Sequence, residues 1–143
     1  MAETPRGTLL TSPDGRRRLD SGSPWEPKMG YSRAVQAGPM IWVAGCVGVN
    51  PDGSYPPGLT EQTRRCVERI RNALAAFDAD LSHVVKVRIY TTAIERWEEI
   101  AEVMGPTFGE IRPANVLVEV SKLVDEALVE IEAEAWVDSG PVS

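Results

Sequence analysis

Side chains able to act as nucleophiles, general bases or metal ligands are few in this sequence. The 143 residues include two cysteines, Cys46 and Cys66, and one histidine, His83. An ordinary Cys/His zinc site needs more ligands than one chain offers here, so we predict no metal site. Ser-His-Asp chemistry would need His83 as its base, and a histidine in a polar segment before a strand is typical of a surface loop.

An asparagine lies where a predicted turn gives way to a predicted strand. Arg112-Pro113-Ala114 is typical of a turn, and residues 116–120 (VLVEV) are typical of a strand. Segments that lead into strands often carry ligand-binding groups. Asn115 is therefore a candidate ligand contact, although an asparagine after such a turn can equally bond the neighbouring backbone.

Hydrophobic periodicity predicts two helices that would position these residues. The first spans residues 60–79, and its buried face has helical spacing: Thr63, Val67, Ile70, Leu74 and Phe77. The second spans residues 95–108, with a predicted buried stripe of Trp97, Ile100, Ala101, Met104 and Phe108. Pro106 should kink or end this second helix, because proline lacks a backbone donor and crowds the carbonyl four residues earlier.

Strands are predicted before, between and after the helices, at residues 31–38, 40–49, 83–93, 115–120 and 127–137. This order indicates an α+β fold, with one sheet that carries both helices on one face. Residues 1–24 are an N-terminal extension that can form a hairpin, residues 25–138 form the domain, and residues 139–143 are a C-terminal tail. Residues 21–30, rich in turn formers, are expected to be irregular.

The sheet face opposite the helices carries an unusual mixture of side chains. Strand alternation places Arg88 opposite Val87, and Glu130, Glu132 and Glu134 opposite the apolar residues of the last strand. Aromatic and aliphatic residues share this face with the carboxylates. Such a surface is poorly suited to water alone, which favours coverage by another subunit.

The charge balance argues against some classes of partner. The formal net charge is −6, from 21 acidic and 15 basic residues, so an interface with nucleic-acid phosphates is not predicted. No apolar run reaches the roughly 18–20 residues that span a bilayer. The N-terminal residues lack the basic start and apolar core of a signal peptide. We therefore expect no nucleic acid, no membrane partner and a cytoplasmic location.

Several separated blocks resemble the Rid family (reactive intermediate deaminase, also called YjgF, RidA or L-PSP). The blocks are GYSRAVQAGPMIWVAGCVGVNPDG, QTRRCVERIRNALAAFDADLSHVVKVRIY, RPANVLVEVSKL and VEIEAEAWV. The resemblance implies a chorismate-mutase-like protomer, a mixed β-sheet with two helices on one face. Three such protomers would pack their sheets into a homotrimeric barrel. It further implies a small-molecule ligand in clefts between subunits, and no cofactor.

The resemblance also implies site residues. Glu130 matches a carboxylate that positions water, and Tyr31 matches a family tyrosine, so both are candidate catalytic residues. Gly45 matches a glycine whose backbone approaches the ligand. Leu117 replaces a frequent cysteine of the cleft. Asn115 falls where the deaminases have an arginine that binds the substrate carboxylate.

Four further residues are candidates on the same basis or from strand alternation. Cys46 follows the matched glycine in the segment that lines the cleft in relatives, although a small buried residue is the ordinary reading of such a cysteine. Arg88, if it faces the barrel side, would supply a displaced positive charge in place of the missing arginine. Arg33 and Arg112 are further candidates for that charge.

Many members of the family hydrolyse imines or enamines such as 2-aminoacrylate. An arginine suits the carboxylate of such a substrate because its planar fork binds both oxygens, whereas an amide brings no charge. We therefore expect a divergent hydrolase (deaminase) with weak or no activity on 2-aminoacrylate. The alternatives are a non-catalytic small-metabolite-binding or regulatory trimer, and a cyclising or tautomerising enzyme of a specialised biosynthetic pathway.

Overall fold

The computed structural model describes residues 7–138, which form one mixed sheet with helices against it. The strands in this range are β1 (Thr8–Thr11), β2 (Arg17–Asp20), β3 (Ala34–Ala37), β4 (Met40–Val47), β5 (Val84–Thr91), β6 (Ala114–Glu119) and β7 (Val129–Trp136). The α-helices are α1 (Trp25–Met29), α2 (Leu59–Ala75) and α3 (Trp97–Phe108). The α+β class predicted from the sequence is confirmed. The predicted tail, residues 139–143, lies outside the described residues.

The sheet has the strand order β1-β2-β3-β4-β7-β5-β6. Strands β5 and β6 are parallel, with α3 in the connection between them, and all other neighbours are antiparallel. Strands β1 and β2 form a hairpin that joins the sheet through β3. The last strand of the chain, β7, therefore lies between β4 and β5 inside the sheet, so side chains on β7 have neighbours on both sides.

The core lies between the sheet and the two long helices. Helix α2 contacts β4, β7 and α3. On β7, the side chains that face the helices are buried: Val129, Ile131, Ala133 and Ala135. The alternate residues of β7, including Glu130, face away from the helices and are half-buried or exposed. This alternation agrees with the predicted pattern.

The start of α2 is held close to the sheet. A Cβ added to Gly48 would lie 2.6 Å from the backbone oxygen of Gln62, so glycine allows this close approach. The buried Gln62 side chain accepts a hydrogen bond from the Leu128 N–H (2.8 Å) and donates to the Glu126 carbonyl (3.2 Å). Helix α2 therefore fixes the segment that leads directly into β7.

The ends of the helices differ from the predicted bounds. Helix α2 ends at Ala75 because Asp78 adopts a left-handed conformation (φ 58°) and the Ala79 N–H bonds the Leu74 carbonyl, which closes the helix. A short helix, α1, forms in the segment expected to be irregular. It is closed by Gly30, which is also left-handed.

Helix α3 differs from the prediction at Pro106 and in its buried stripe. It does not end early at Pro106 but continues to Phe108, the predicted last residue, because a proline in the last turn removes only one late hydrogen bond. Trp97 and Ala101 were expected in the buried stripe, but both are exposed. The buried residues of this helix are Ile100, Val103 and Phe108.

The strands also differ locally from the prediction. The pairing of β5 with β7 is irregular between Val84 and Lys86, and Val85 is exposed there instead of alternating into the core. Strand β6 begins at Ala114, one residue before the predicted start, so Asn115 is the second residue of the strand. Among residues 7–138, no helix is long and apolar enough to cross a membrane.

Candidate functional site

Glu130 lies at the centre of the candidate site. It is half-buried on β7, paired with Val47 of β4 on one side and Tyr90 of β5 on the other. Its carboxylate occupies the space above Gly45, where a Cβ on any other residue would overlap the Glu130 Oε1 atom. Gly45 is thus needed for the close approach of this carboxylate to β4.

The surroundings of Glu130 change its acidity. Burial raises its pKa above the ordinary value, and the neighbouring Glu132 carboxylate raises it further. Arg33 and Arg69 act in the opposite direction, and the net direction is upward. A carboxyl group with a raised pKa exchanges a proton more readily near neutral pH, which suits general acid–base catalysis.

Gly45 lies in an irregular part of β4, where the pairing with β7 shifts between Val43 and Cys46. The Ala44 N–H donates to the Arg33 carbonyl, just before β3. The Arg33 side chain donates from Nη1 to the Gly45 carbonyl at 2.8 Å. These two contacts place the arginine next to the irregular part of β4 and so near Glu130.

Arg33 is a buried cation and links several parts of the site. Its side chain is only 7% exposed. Besides the Gly45 carbonyl, it donates through Nη2 to the Tyr31 hydroxyl (3.2 Å), and its guanidinium lies 5.6 Å from the centre of the Tyr31 ring. Since the Tyr31 oxygen accepts this bond, the Tyr31 O–H is left to donate its own proton to another group.

The charge of Arg33 is balanced by Glu26, which is also buried. Glu26 Oε2 lies 3.9 Å from Arg33 Nε, and the carboxylate accepts hydrogen bonds from the backbone and hydroxyl of Ser21. Glu26 comes from α1, so this short helix supplies the counter-charge for the site. Removing one partner of a buried ion pair leaves the other charge uncompensated.

Cys46 is fully buried and belongs to the hydrophobic core. Its Sγ atom lies 3.4 Å from Arg33 Nη1 and 3.3 Å from the Ala44 carbonyl oxygen. It is near the site residues in space but points into the core. This position argues against direct contact of Cys46 with a ligand.

A cavity of about 290 Å³ opens next to Glu130. Its lining is Gly45, Tyr90, Val120, Leu123, Glu130 and Glu132. The Tyr90 hydroxyl donates to Glu132, and this hydrogen bond raises the pKa of Tyr90. Two carboxylates and a phenol therefore border a partly apolar space that is large enough for a small metabolite.

Arg88 faces away from the helices, as predicted, but it is engaged by another residue. Its Nη1 donates to Glu134 Oε1 at 3.0 Å. On β6, the residue paired with Arg88 is Val116. Asn115 pairs with Val87, the residue before Arg88 on β5. Arg88 is thus placed in an ion pair on the open face, not beside Asn115.

Asn115 and Leu117 lie on the edge strand β6, away from Glu130. Their partners on β5 are Val87 and Ile89, which are buried beneath the helices. Leu117 packs against the hydrophobic core, whereas Asn115 is exposed at the sheet edge. Within one chain, the structure brings Glu130, Gly45, Cys46 and Tyr31 together around Arg33. It does not bring Asn115, Leu117 or Arg88 to them.

Some residues at the site were not assigned to it by sequence reasoning. Arg33 was considered only as a source of displaced charge, and Glu26, Tyr90 and Glu132 were not considered as site residues. A charged residue within the otherwise weakly polar run GYSRAVQAG is a signal that identifies Arg33. Glu26 carries no such signal, because its burial depends on helix α1. The turn-forming composition of residues 21–30 does not predict that helix. No group of three or more His, Cys, Asp or Glu side chains suited to a metal occurs within residues 7–138.

Replacement of Glu26 tests the dependence of the site on its buried ion pair. We expect Glu26→Ala to lower the free energy of unfolding by about 3–5 kcal/mol, because Arg33 would remain as an uncompensated buried charge. Urea denaturation at neutral pH and fixed protein concentration measures this loss. The matched control is Glu61→Ala, which removes the exposed partner of Arg64 (3.3 Å) and should cost less than about 1 kcal/mol. Equal losses in the two variants would contradict the expectation.

The chain is similar to known proteins over most of its length. The family model described as Endoribonuclease L-PSP matches residues 22–137. A RutC family protein of Pyrococcus abyssi is 40% identical over 108 residues, which cover 74% of this chain and 85% of the relative.

Solved structures agree as well. The crystal structure of Rv2704 from Mycobacterium tuberculosis, a member of the YjgF/YER057c/UK114 family, superposes with a TM-score of 0.79 at 44% identity, covering 86% of this chain and all of that one. The Escherichia coli YjgF structure gives a TM-score of 0.70 at 26% identity, covering 74% of this chain and 87% of that one. With this fold, and with a family match over most of its length, the chain belongs to the YjgF/RutC/L-PSP (Rid) family.

Proposed function

We propose that this protein hydrolyses a small imine or enamine-type metabolite, with Glu130 and water as the reacting groups. The observation that carries the proposal is Glu130 itself. It is a half-buried carboxyl group with a raised pKa, seated over Gly45 and next to a cavity of about 290 Å³. Tyr31, oriented by Arg33, would act as a hydrogen-bond donor to substrate.

The chemistry of the proposed reaction follows from these groups. An enamine first takes a proton on carbon and becomes an iminium ion. Glu130 accepts a proton from water as the water oxygen bonds to the iminium carbon, giving a carbinolamine. The same carboxyl group then returns the proton to nitrogen, the C–N bond breaks with its electrons going to nitrogen, and the O–H proton is lost as the carbonyl forms. The products are a carbonyl compound and ammonia or an amine, and the step needs no cofactor.

We propose further that the working form is a homotrimer with ligand clefts between subunits. The face of the sheet opposite the helices supports this. On that face Trp42, Val116, Val118 and Trp136 are exposed in the single chain, beside the Glu130 series. Apolar residues clustered on one face are typical of a surface that another subunit covers.

Substitution of Val118 tests this assembly. We expect Val118→Glu to lower the measured molecular mass from that of three chains toward that of one chain. The reason is that a carboxylate would have to be buried in the interface. Sedimentation equilibrium or light scattering with size exclusion measures the mass. The control is Trp97→Glu, which places a carboxylate on an exposed aromatic residue of the helix layer and should leave the mass unchanged. A wild-type protein that sediments as a monomer would contradict the assembly.

The substrate should lack a strongly bound carboxylate at the position of Asn115. An asparagine at this position offers neutral hydrogen bonds, and a charge-assisted bond is about twice as strong as a neutral one. Loss of an arginine from a desolvated site would cost roughly 2–5 kcal/mol, by analogy with buried charge pairs. 2-Aminoacrylate is therefore expected to be a poor substrate, and a substrate without an α-carboxylate, or a larger one, a better one.

Restoring the arginine tests this assignment. We expect Asn115→Arg to raise kcat/KM for 2-aminoacrylate by about 30-fold or more over the wild type. This factor corresponds to about 2 kcal/mol, the lower end of the range given for loss of the arginine, at about 1.4 kcal/mol for each tenfold change. An assay coupled to an enzyme that generates 2-aminoacrylate measures the rate of keto-acid release. Asn115→Gln, which adds length without charge, is the control and should give no gain. Wild-type rates already equal to those of arginine-bearing relatives would contradict the assignment.

The Glu130 assignment predicts opposite effects on activity and stability. A carboxyl group whose pKa is raised in the folded protein stabilises the fold when protonated, and this contribution is lost as pH rises through the folded-state pKa. Glu130→Gln should therefore abolish turnover but make the protein more stable than wild type at neutral pH. The difference in stability should disappear as pH falls below about 4.5, the ordinary value for glutamate.

Thermal denaturation between pH 4 and pH 8, together with turnover of candidate imines, checks both parts. The control is Glu110→Gln, at an exposed position, which should change neither quantity. Tyr31→Phe should also lower turnover while the protein stays folded. If both variants bind a ligand with altered affinity and the wild type turns nothing over, the protein is a non-catalytic binding protein instead.

The family description includes the word endoribonuclease, but the charge of this chain does not favour RNA. The chain has a net charge of −6 and one histidine, and His83 lies in a 3-10 turn with Asp80, remote in sequence from the Glu130 region. Proteins that bind RNA through its phosphates usually present a basic face. We therefore keep imine hydrolysis as the proposed activity.

A further inference from the structure

On the sheet face opposite the helices, side chains of β5 bind the carboxylates of β7 in a regular diagonal pattern. Tyr90 lies opposite Glu130 in the sheet, and its hydroxyl donates to Glu132, two residues further along β7. Arg88 lies opposite Glu132, and its Nη1 donates to Glu134 at 3.0 Å. Each of these β5 side chains thus reaches the diagonal neighbour of its own partner, a contact that long side chains make across antiparallel strands.

The pattern stops before it reaches Glu130. The same diagonal step would give Glu130 a partner at residue 92, but β5 ends at Thr91. Within residues 7–138, no side-chain hydrogen bond or ion pair engages the Glu130 carboxylate. Two carboxylates of the same face therefore differ, because Glu132 is held by Tyr90 and Glu130 is open to the cavity beside it.

The cavity of about 290 Å³ beside Glu130 forms where β5 ends. The Val120 N–H donates to the Thr91 carbonyl at 2.9 Å, so the segment that follows β6 is fixed beside this end of the strand. Val120 and Leu123 are aliphatic side chains of the lining, and Glu130 and Glu132 are its charged ones. A small ligand with one apolar part and one hydrogen-bonding end suits such a space.

The charge of the lining is negative. Among the described residues that line the cavity there is no lysine or arginine. Two arginines act on Glu130 from outside the lining, and both donate to backbone carbonyls at 2.8 Å, Arg33 to Gly45 and Arg69 to Val47. A cationic ligand in the cavity would therefore be attracted by two carboxylates, and an anionic ligand would be repelled by them.

We propose that Glu132, held by Tyr90, binds the nitrogen end of the substrate, and that the cavity selects a cationic planar C–N group such as an iminium ion. The assignment rests on the proposed hydrolysis and names the charge of its substrate. Glu130 and Glu132 are two residues apart on one face of β7, so their Cα atoms are about 7 Å apart. A planar group between them can donate an N–H to Glu132 while Glu130 faces the water that attacks its carbon.

Tyr90 is a positioning residue in this arrangement. Its hydroxyl occupies Oε1 of Glu132, which leaves the other carboxylate oxygen able to accept a hydrogen bond from a ligand. The alternative is a purely structural pair, for which Arg88 and Glu134 are the model on the same two strands. Since neither Arg88 nor Glu134 lines the cavity, ligand binding separates the two possibilities.

Three probes of similar shape and different charge test the proposal. Benzamidine is cationic, benzamide is neutral and benzoate is anionic, and each carries a planar group on an apolar ring. We expect benzamidine to bind the full-length protein at least tenfold more tightly than benzamide, and benzoate to bind most weakly. Titration by ligand-observed NMR at neutral pH and constant ionic strength measures the dissociation constants. Absence of saturable benzamidine binding, or equal affinity for the three probes, would overturn the proposal.

Variants locate the cation-binding carboxylate. Glu132→Gln should weaken benzamidine binding by about tenfold, the loss of one charge-assisted contact, and leave benzamide binding within about twofold of wild type. Tyr90→Phe should also reduce the preference for benzamidine over benzamide, and it serves in place of Glu132→Gln if that variant folds poorly. Circular dichroism and light scattering check the fold and the molecular mass of each variant.

Glu134→Gln is the matched control, because it removes the same charge from the same strand outside the cavity. It should bind benzamidine within about twofold of wild type, and a loss equal to that in Glu132→Gln would count against the assignment. Turnover of an imine by a wild type that does not prefer benzamidine would overturn the cationic assignment alone. A preference for benzamidine without turnover of any imine would instead overturn the hydrolysis and support a site for cationic ligands.

Discussion

The buried guanidinium of Arg33 is the interaction on which the rest of the site depends. A cation removed from water is stable only when paired and hydrogen-bonded. Glu26 supplies the counter-charge from α1, and the bulge of β4 supplies the Gly45 carbonyl. The same side chain orients the Tyr31 hydroxyl. A helix of only five residues and an irregular strand are therefore parts of one electrostatic unit.

Glu130 lies where an ionised carboxylate lowers the stability of the fold. Its carboxylate fits over Gly45 because that residue has no side chain, and burial raises its pKa. An ionised group in such a place destabilises the fold near neutral pH, so a purely structural strand would be expected to carry a neutral residue. Val129 and Ile131, the buried neighbours of Glu130, compensate by packing beneath the helices. The arrangement is characteristic of a functional group held by a stable scaffold.

The sequence predicts the architecture better than the site. Alternation on β7 and the helical face of α2 follow from regular periodicity, so the order of elements along the chain and the open face of the sheet are predictable. Trp97 was wrongly placed in the core because helical spacing does not show which side a partner covers. Arg33 and Glu26 come together through α1 and a strand bulge, which are tertiary features with weak sequence signals. Their pairing could not be deduced from spacing.

The separation of Asn115 from Glu130 decides whether one small ligand can contact both residues within a single chain. Strand β5 lies between their strands, and the pairings Asn115–Val87 and Tyr90–Glu130 set them three residues apart along β5. At about 4.8 Å per strand and about 3.3 Å per residue, each offset is about 10 Å. The two side chains also project toward opposite faces of the sheet. A small substrate cannot touch both in one chain. Under the proposed function, an anchor at position 115 would therefore serve the Glu130 of a neighbouring chain, which is why the proposed activity and the proposed trimer depend on each other.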